Sequence, residues 1–163
     1  MLRFFGFSLF FFLVSCSTGD ERDNDARDSN GKNATELADE AASMNKKTIV
    51  DMVELLEGGL ATIDNVDSLY DASKYALVKY GKMAADMSKK DYEAYAHNYQ
   101  ILAYEGNDSL MLIVSQYRDS IIQADPGDVM ALQLQSYLSL GVYADPEMTR
   151  RVFPSEYEEL YAK

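Results

Sequence analysis

Apolar residues recur every three or four positions along most of the chain, and this spacing restricts the fold more than any other feature. Ile49, Val53, Leu56, Leu60 and Ile63 form the first such stripe. This spacing places side chains on one face of an α-helix, whereas half-buried strands alternate with a period of two. No comparable stretch alternates in that way. The sequence therefore predicts an all-α fold.

Further stripes cover residues 66–87, 92–102 and 110–121, and turn residues separate them. Gly58-Gly59 predicts that the helix carrying the first stripe is kinked or divided there. Gly106-Asn107-Asp108 predicts a turn with a cap before the fourth helix. Asp125-Pro126-Gly127-Asp128 closes that helix and offers Asp128 as the cap of a fifth, which ends at Gly141.

Two prolines near the C-terminus indicate helix boundaries. Asp145-Pro146 places a capping carboxylate before a proline suited to a first helical turn, and Pro154 predicts a later break. Short loops between consecutive helices favour antiparallel hairpins. We therefore expect residues 35–163 to form a single domain, either a small helical bundle or a short stack of hairpins.

The segment at residues 107–145 resembles tetratricopeptide repeats. Residues 120–128 are similar to the end of a repeat, and Ser136-Tyr137-Leu138-Ser139-Leu140-Gly141 is similar to the end of the following first helix. The resemblance implies a short stack of helical hairpins. An unrelated bundle is the alternative, because the mid-helix glycine of the family would fall on Leu134 and stable arrays generally need three repeats.

Residues 1–15 have the parts of an export signal: a positive start at Arg3, an apolar stretch over residues 4–14 and small residues before Cys16. The apolar stretch is shorter than the roughly 20 residues that a membrane-spanning helix needs. It is therefore interpreted as a cleaved leader.

Leu13-Val14-Ser15-Cys16 resembles the bacterial lipobox. The resemblance implies that signal peptidase recognises Leu13, Val14 and Ser15, that cleavage precedes Cys16, and that Cys16 carries diacylglycerol and an N-acyl chain. No other cofactor is expected. Cys16 is the single cysteine, so an internal disulfide is excluded. The alternative is an ordinary signal peptide with a chance cysteine near its cleavage site.

Residues 16–34 are rich in charged and polar side chains and predict a disordered acidic linker. Asp20, Glu21, Asp23 and Asp25 loosely resemble the surface-export signals of Bacteroidetes lipoproteins, and a merely solvating linker is the alternative. The net charge of −12 argues against nucleic-acid binding, which needs clustered basic residues.

All twelve tyrosines follow Leu69. Tyrosine combines an apolar ring with a polar tip and suits binding grooves. Tyr92, Tyr95, Tyr99 and Tyr137 are therefore candidate protein-binding residues. The alternative is that tyrosine fills a core in a chain without tryptophan.

No catalytic motif accompanies the single histidine, His97, so we expect no enzymatic activity and no metal site. We expect a bacterial envelope lipoprotein that is held in the lipid bilayer through Cys16. Of the two membranes, we favour the outer over the inner. Its helical domain would bind a protein or peptide of the envelope. A structural or stress-related lipoprotein without a groove and a secreted soluble domain are the alternatives, and the oligomeric state stays open.

Overall fold

A computed structural model describes residues 32–161, and this part of the chain is helical without strands. The predicted all-α class is thus confirmed. The signal residues, Cys16 and all but the last residues of the predicted linker lie outside the described residues. The elements, in order, are α1 (Ala34–Glu57), α2 (Ile63–Ala85), α3 (Lys89–Gln100), a π-helix (Ile101–Glu105), α4 (Asp108–Ala124), α5 (Val129–Leu138), a 3-10 helix (Leu140–Ala144), α6 (Pro146–Val152) and α7 (Pro154–Tyr161).

Helix α1 begins well before the first apolar stripe. Asn33 Oδ1 accepts from the Glu36 backbone N–H at 2.9 Å, and Glu36 Oε2 accepts from the Asn33 N–H at 3.1 Å, which together form a capping box. Asn33 and Ala34, which the sequence assigned to the linker, therefore start the helix. The first turns bury small residues, among them Ala38 and Ala41.

The helix predicted from the first stripe is divided at Gly58-Gly59, which is one of the two outcomes that the sequence allowed there. Gly59 adopts a positive φ of 66°, which costs a glycine little because it has no Cβ. Leu60 then lies in the loop with 63 % of its surface exposed, and Ile63 starts α2. The first apolar stripe thus belongs to two helices.

Two of the expected caps are confirmed. Asp128 accepts from the Met130 N–H at 2.7 Å at the start of α5. Asp145 accepts from the Met148 N–H at 3.1 Å, with Pro146 in the first turn of α6. Carboxylates at these positions satisfy amides that have no partner within the helix.

The core is built around α1. This helix packs against α2, α3, α4 and the π-helix, and it buries Leu37, Ile49, Met52 and Leu56. In a repeat stack each hairpin contacts its immediate neighbours, whereas here one helix is shared by most of the others. The packing therefore follows the bundle alternative, and the described residues add nothing to the tetratricopeptide resemblance.

None of the helices between residues 32 and 161 combines the length and the apolar character that crossing a bilayer would require.

Candidate functional site

Three of the four candidate binding tyrosines lie in the core. Tyr95, Tyr99 and Tyr137 expose 1 % or less of their surface, while Tyr92, near the start of α3, is half-buried. The rings of Tyr95 and Tyr99 stack with centroids 5.9 Å apart. These side chains therefore fill the interior, which was the alternative interpretation of the tyrosine content, and they form no exposed groove.

The α3 tyrosines fix the 3-10 helix. Tyr95 donates from its hydroxyl to the Ala144 carbonyl at 2.7 Å, and Tyr99 donates to the Gly141 carbonyl, also at 2.7 Å. Helix ends leave carbonyls without partners, and buried polar groups need hydrogen bonds. The tyrosine hydroxyls supply them here. Burial raises the pKa of both phenols, so they stay protonated donors.

The other two tyrosines also join distant segments. Tyr92 donates to Asp145 Oδ1 and accepts from the Glu147 N–H at 3.2 Å, so it supports the cap of α6. Tyr137, on α5, donates to the Thr48 carbonyl of α1. Burial raises the pKa of Tyr137 to about 12. All four hydroxyls thus act as structural donors.

Gly141 permits this packing, although the sequence offered it as the end of the fifth helix. Helix α5 already ends at Leu138, and Gly141 lies within the 3-10 helix. A Cβ at this position would lie 3.3 Å from both Tyr99 Oη and Asn45 Nδ2. The glycine therefore lets the backbone approach α3 and α1 closely.

A second polar cluster joins α2 to α7. Lys74 pairs with Glu156, and the hydroxyl of Tyr143 donates to Glu156 Oε2 at 2.7 Å. Burial alone would raise the pKa of Glu156, but hydrogen bonds from Lys74 and Tyr143 outweigh it and lower that pKa below its usual value. The ammonium also lies 4.5 Å from the centroid of the Tyr143 ring. The cluster holds the last helix in place.

A surface cleft lies between α1 and the turn after the π-helix. It has a volume of about 310 Å³. Its lining residues are Asp39, Ala42, Ser43, Lys46, Leu102, Gly106 and Asn107. We call it the Asn107 cleft. Sequence reasoning missed it, because the π-helix that shapes one wall leaves no sequence pattern that we recognised.

Asn107 departs from its expected role. It occupies the N-cap position of α4, but its side chain makes no cap bond, and its Nδ2 instead donates back to the Ala103 carbonyl at 2.8 Å. Asn107 is 99 % buried, and its Oδ1 has no hydrogen-bond partner among residues 32–161. The expectation of a capping side chain at residues 106–108 was therefore wrong.

A smaller groove of about 240 Å³ follows one face of α2. It includes Tyr75, which is 80 % exposed, together with Lys79 and Lys82. In the described part of the chain, no group of three or more His, Cys, Asp or Glu side chains is placed to hold a metal ion. His97 lies exposed on α3.

No protein-family model, no curated protein and no solved structure matches this chain.

Proposed function

We propose that the protein is a bacterial envelope lipoprotein that is anchored through acyl chains on Cys16 and whose helical domain binds another protein or a peptide. The proposed role is binding rather than catalysis. The proposed location of the domain is the outer membrane, on either its periplasmic or its surface face.

The sequence Leu13-Val14-Ser15-Cys16 after a short apolar stretch carries this proposal. Each buried methylene contributes about 0.8 kcal/mol to membrane binding, so two or three acyl chains hold a protein stably where one does not. The net charge of −12 offers no general electrostatic attraction to anionic lipids. Lipid on Cys16 would therefore supply the membrane affinity.

Exposed apolar side chains beside the Asn107 cleft support a binding role. Ile101, Leu102 and Tyr104 of the π-helix are large apolar residues with more than a third of their surface exposed. Short π-helical segments occur frequently at functional sites. Tyrosine is among the residues that contribute most to protein interfaces. These residues provide a surface on which a partner could bury apolar area.

Replacing the acylated residue tests the anchor. Cys16→Ala should abolish incorporation of an alkyne-tagged fatty acid and move the protein from the membrane fraction to the soluble fraction, because no acyl chain then enters the bilayer. Ser17→Ala is the matched control, since it changes the neighbouring residue and keeps the thiol. Unchanged labelling and membrane retention of Cys16→Ala would refute the anchor.

A further inference from the structure

An apolar groove lies at the turn between α1 and α2, and we call it the Leu60 groove. It has a volume of about 370 Å³. Three leucines from three consecutive segments form its apolar surface: Leu55 of α1, Leu60 of the turn and Leu69 of α2. Asp51 and Glu54 also line it. Leu60 is 63 % exposed, more than any other leucine among residues 32–161.

The backbone holds Leu60 in this exposed position. Its N–H donates to the Leu55 carbonyl at 3.0 Å, and the Gly59 N–H donates to the Leu56 carbonyl at 3.2 Å. With Gly59 at a positive φ, these two bonds form the Schellman motif that commonly ends helices. The Leu60 carbonyl accepts from Asn65 Nδ2 at 2.9 Å. Both main-chain groups of Leu60 are thus bonded, so a partner that packs on its side chain orders little additional backbone.

The chain around this groove is uniformly acidic. Residues 48–73 contain no lysine, arginine or histidine and have six acidic side chains: Asp51, Glu54, Glu57, Asp64, Asp67 and Asp71. Asp51 is paired with Lys47 at 2.6 Å, whereas Glu54 and Glu57 have no ion-pair partner within the described part of the chain. The rim of the groove is therefore negative and attracts basic groups.

Glu54 and Glu57 lie where a carboxylate disfavours the fold. Both are in the last turn of α1, which contains no basic residue. The helix dipole places partial negative charge at this end, so carboxylates are unfavourable here and cations are favourable. Asp64, by contrast, lies in the first turn of α2, where the dipole stabilises a carboxylate. A basic group bound beside Glu54 and Glu57 would offset the repulsion.

We infer that the Leu60 groove binds a basic segment of a partner protein in which a leucine-sized apolar side chain is flanked by lysine or arginine. The apolar side chain packs on Leu60, and the flanking basic groups pair with Glu54 and Glu57. This inference specifies the partner chemistry of the proposed binding role and rests on that role.

The charge of the groove argues against the other occupants. Nucleic acid and anionic lipid carry the same sign as the rim. A second copy of this chain, with its net charge of −12, is repelled. Residues 17–31 of the chain itself contain five acidic and two basic side chains, so they do not complement the rim either.

Titration with capped pentapeptides tests the inference. The acylated protein in nonionic detergent micelles is titrated with acetyl-Arg-Arg-Leu-Arg-Arg-amide, with the same peptide carrying serine in place of leucine, and with acetyl-Glu-Glu-Leu-Glu-Glu-amide. Binding is followed through the backbone amide resonances of Gly58, Gly59 and Leu60. The leucine peptide should bind about three- to tenfold more tightly than the serine peptide, which corresponds to burial of about half a leucine side chain. Equal affinities of the two basic peptides, binding of the acidic peptide, or no shift at these amides would overturn the inference.

A matched pair of leucine variants tests the apolar contact. Leu60→Ser should remove the preference for the leucine peptide over the serine peptide. Leu132→Ser should keep it, because Leu132 is 62 % exposed but lies on α5. An equal effect of the two variants would count against the Leu60 groove.

A second pair tests the acidic rim at constant net charge. Glu54→Gln combined with Glu57→Gln should weaken binding of both basic peptides about two- to tenfold, because two exposed ion pairs are lost. Glu158→Gln combined with Glu159→Gln changes the net charge by the same amount at exposed positions of α7 and should weaken it less. Equal weakening by the two double variants would show general attraction to an acidic protein and would refute the site.

Urea denaturation distinguishes a binding role of Glu54 and Glu57 from a structural one. Their double variant should unfold at the same urea concentration as the wild type or at a higher one, because it removes carboxylates that oppose the α1 dipole. A lower midpoint would assign these side chains to the fold and overturn the inference.

The inference and the proposed function can fail separately. If the Leu60 groove binds no peptide, fatty-acid labelling of Cys16 is unaffected, and the apolar side chains beside the Asn107 cleft remain accessible to a partner. If the anchor proposal fails instead, the preference for the leucine peptide persists in protein that carries no lipid.

Discussion

Helix α3 and the turn that follows the π-helix lie close together in the sequence, but they differ in the hydrogen bonding of their buried polar atoms. In α3, the hydroxyls of Tyr95 and Tyr99 each donate to a carbonyl of the 3-10 helix at 2.7 Å. In the turn, the Oδ1 atom of Asn107 is just as buried and lacks a partner among the described residues. One region uses its polar atoms to hold the fold together, and the other leaves an acceptor unused.

This difference separates structural from functional candidates more sharply than residue type does. Tyrosine is typical of binding grooves, yet the hydroxyls of Tyr95 and Tyr99 both have acceptors and their rings are buried. Asparagine before a helix is typical of a cap. The Asn107 side chain instead donates to the preceding Ala103 carbonyl, and the residue lines a cleft. If the comparison holds, substitutions in α3 should affect stability, and those at the turn should affect binding.

Truncating a core tyrosine should give the largest effect. Tyr95→Ala removes a fully buried ring together with its bond to Ala144, and we expect a loss of about 3–5 kcal/mol in the free energy of unfolding. Urea denaturation measures this loss. Tyr75→Ala serves as the control, because its ring is exposed, and it should change stability by less than about 0.5 kcal/mol. Similar losses from the two variants would contradict the burial of the Tyr95 ring.

Removing a single hydroxyl should give an intermediate effect. Tyr99→Phe keeps the ring but takes the donor from the buried Gly141 carbonyl, which should cost about 1–3 kcal/mol of stability. Tyr104→Phe provides the comparison, since the Tyr104 hydroxyl has no partner within residues 32–161 and its loss should cost less. If both variants unfold at the same urea concentration, the bond to Gly141 does not contribute to stability.

Replacing the unused acceptor should have the smallest effect on stability. Asn107→Leu loses the bond to the Ala103 carbonyl but also removes an unsatisfied oxygen, and these terms oppose each other. We expect a change of less than about 1 kcal/mol in the free energy of unfolding, measured by the same denaturation. A loss as large as that of Tyr95→Ala would show that Asn107 is chiefly structural.

The helices whose ends carry strong local signals could be predicted from the sequence. Asp128 and Asp145 cap α5 and α6 as expected, and Pro154 separates α6 from α7. These signals work because capping and proline geometry depend on a few neighbouring residues. The start of α1 was missed because its first turns bury alanines, which contribute little to an apolar stripe.

The cleft could not be predicted, because it depends on contacts between segments distant in the chain. Whether Asn107 caps α4 or bonds to Ala103 is decided by the path of the π-helix, which has no recognised sequence signature. Likewise, the spacing of Tyr95 and Tyr99 showed that they share a helix face but did not show what covers it. That cover is the 3-10 helix, more than 40 residues away.

The bond between Tyr137 and Thr48 joins residues 89 positions apart, and it has a kinetic consequence. Closing so long a loop costs chain entropy before the contacts that reward it can form, which slows folding relative to helical proteins with local contacts. Until α5 arrives, the Thr48 carbonyl lacks the Tyr137 donor. A newly made chain can therefore form this bond only after Tyr137 has been synthesised.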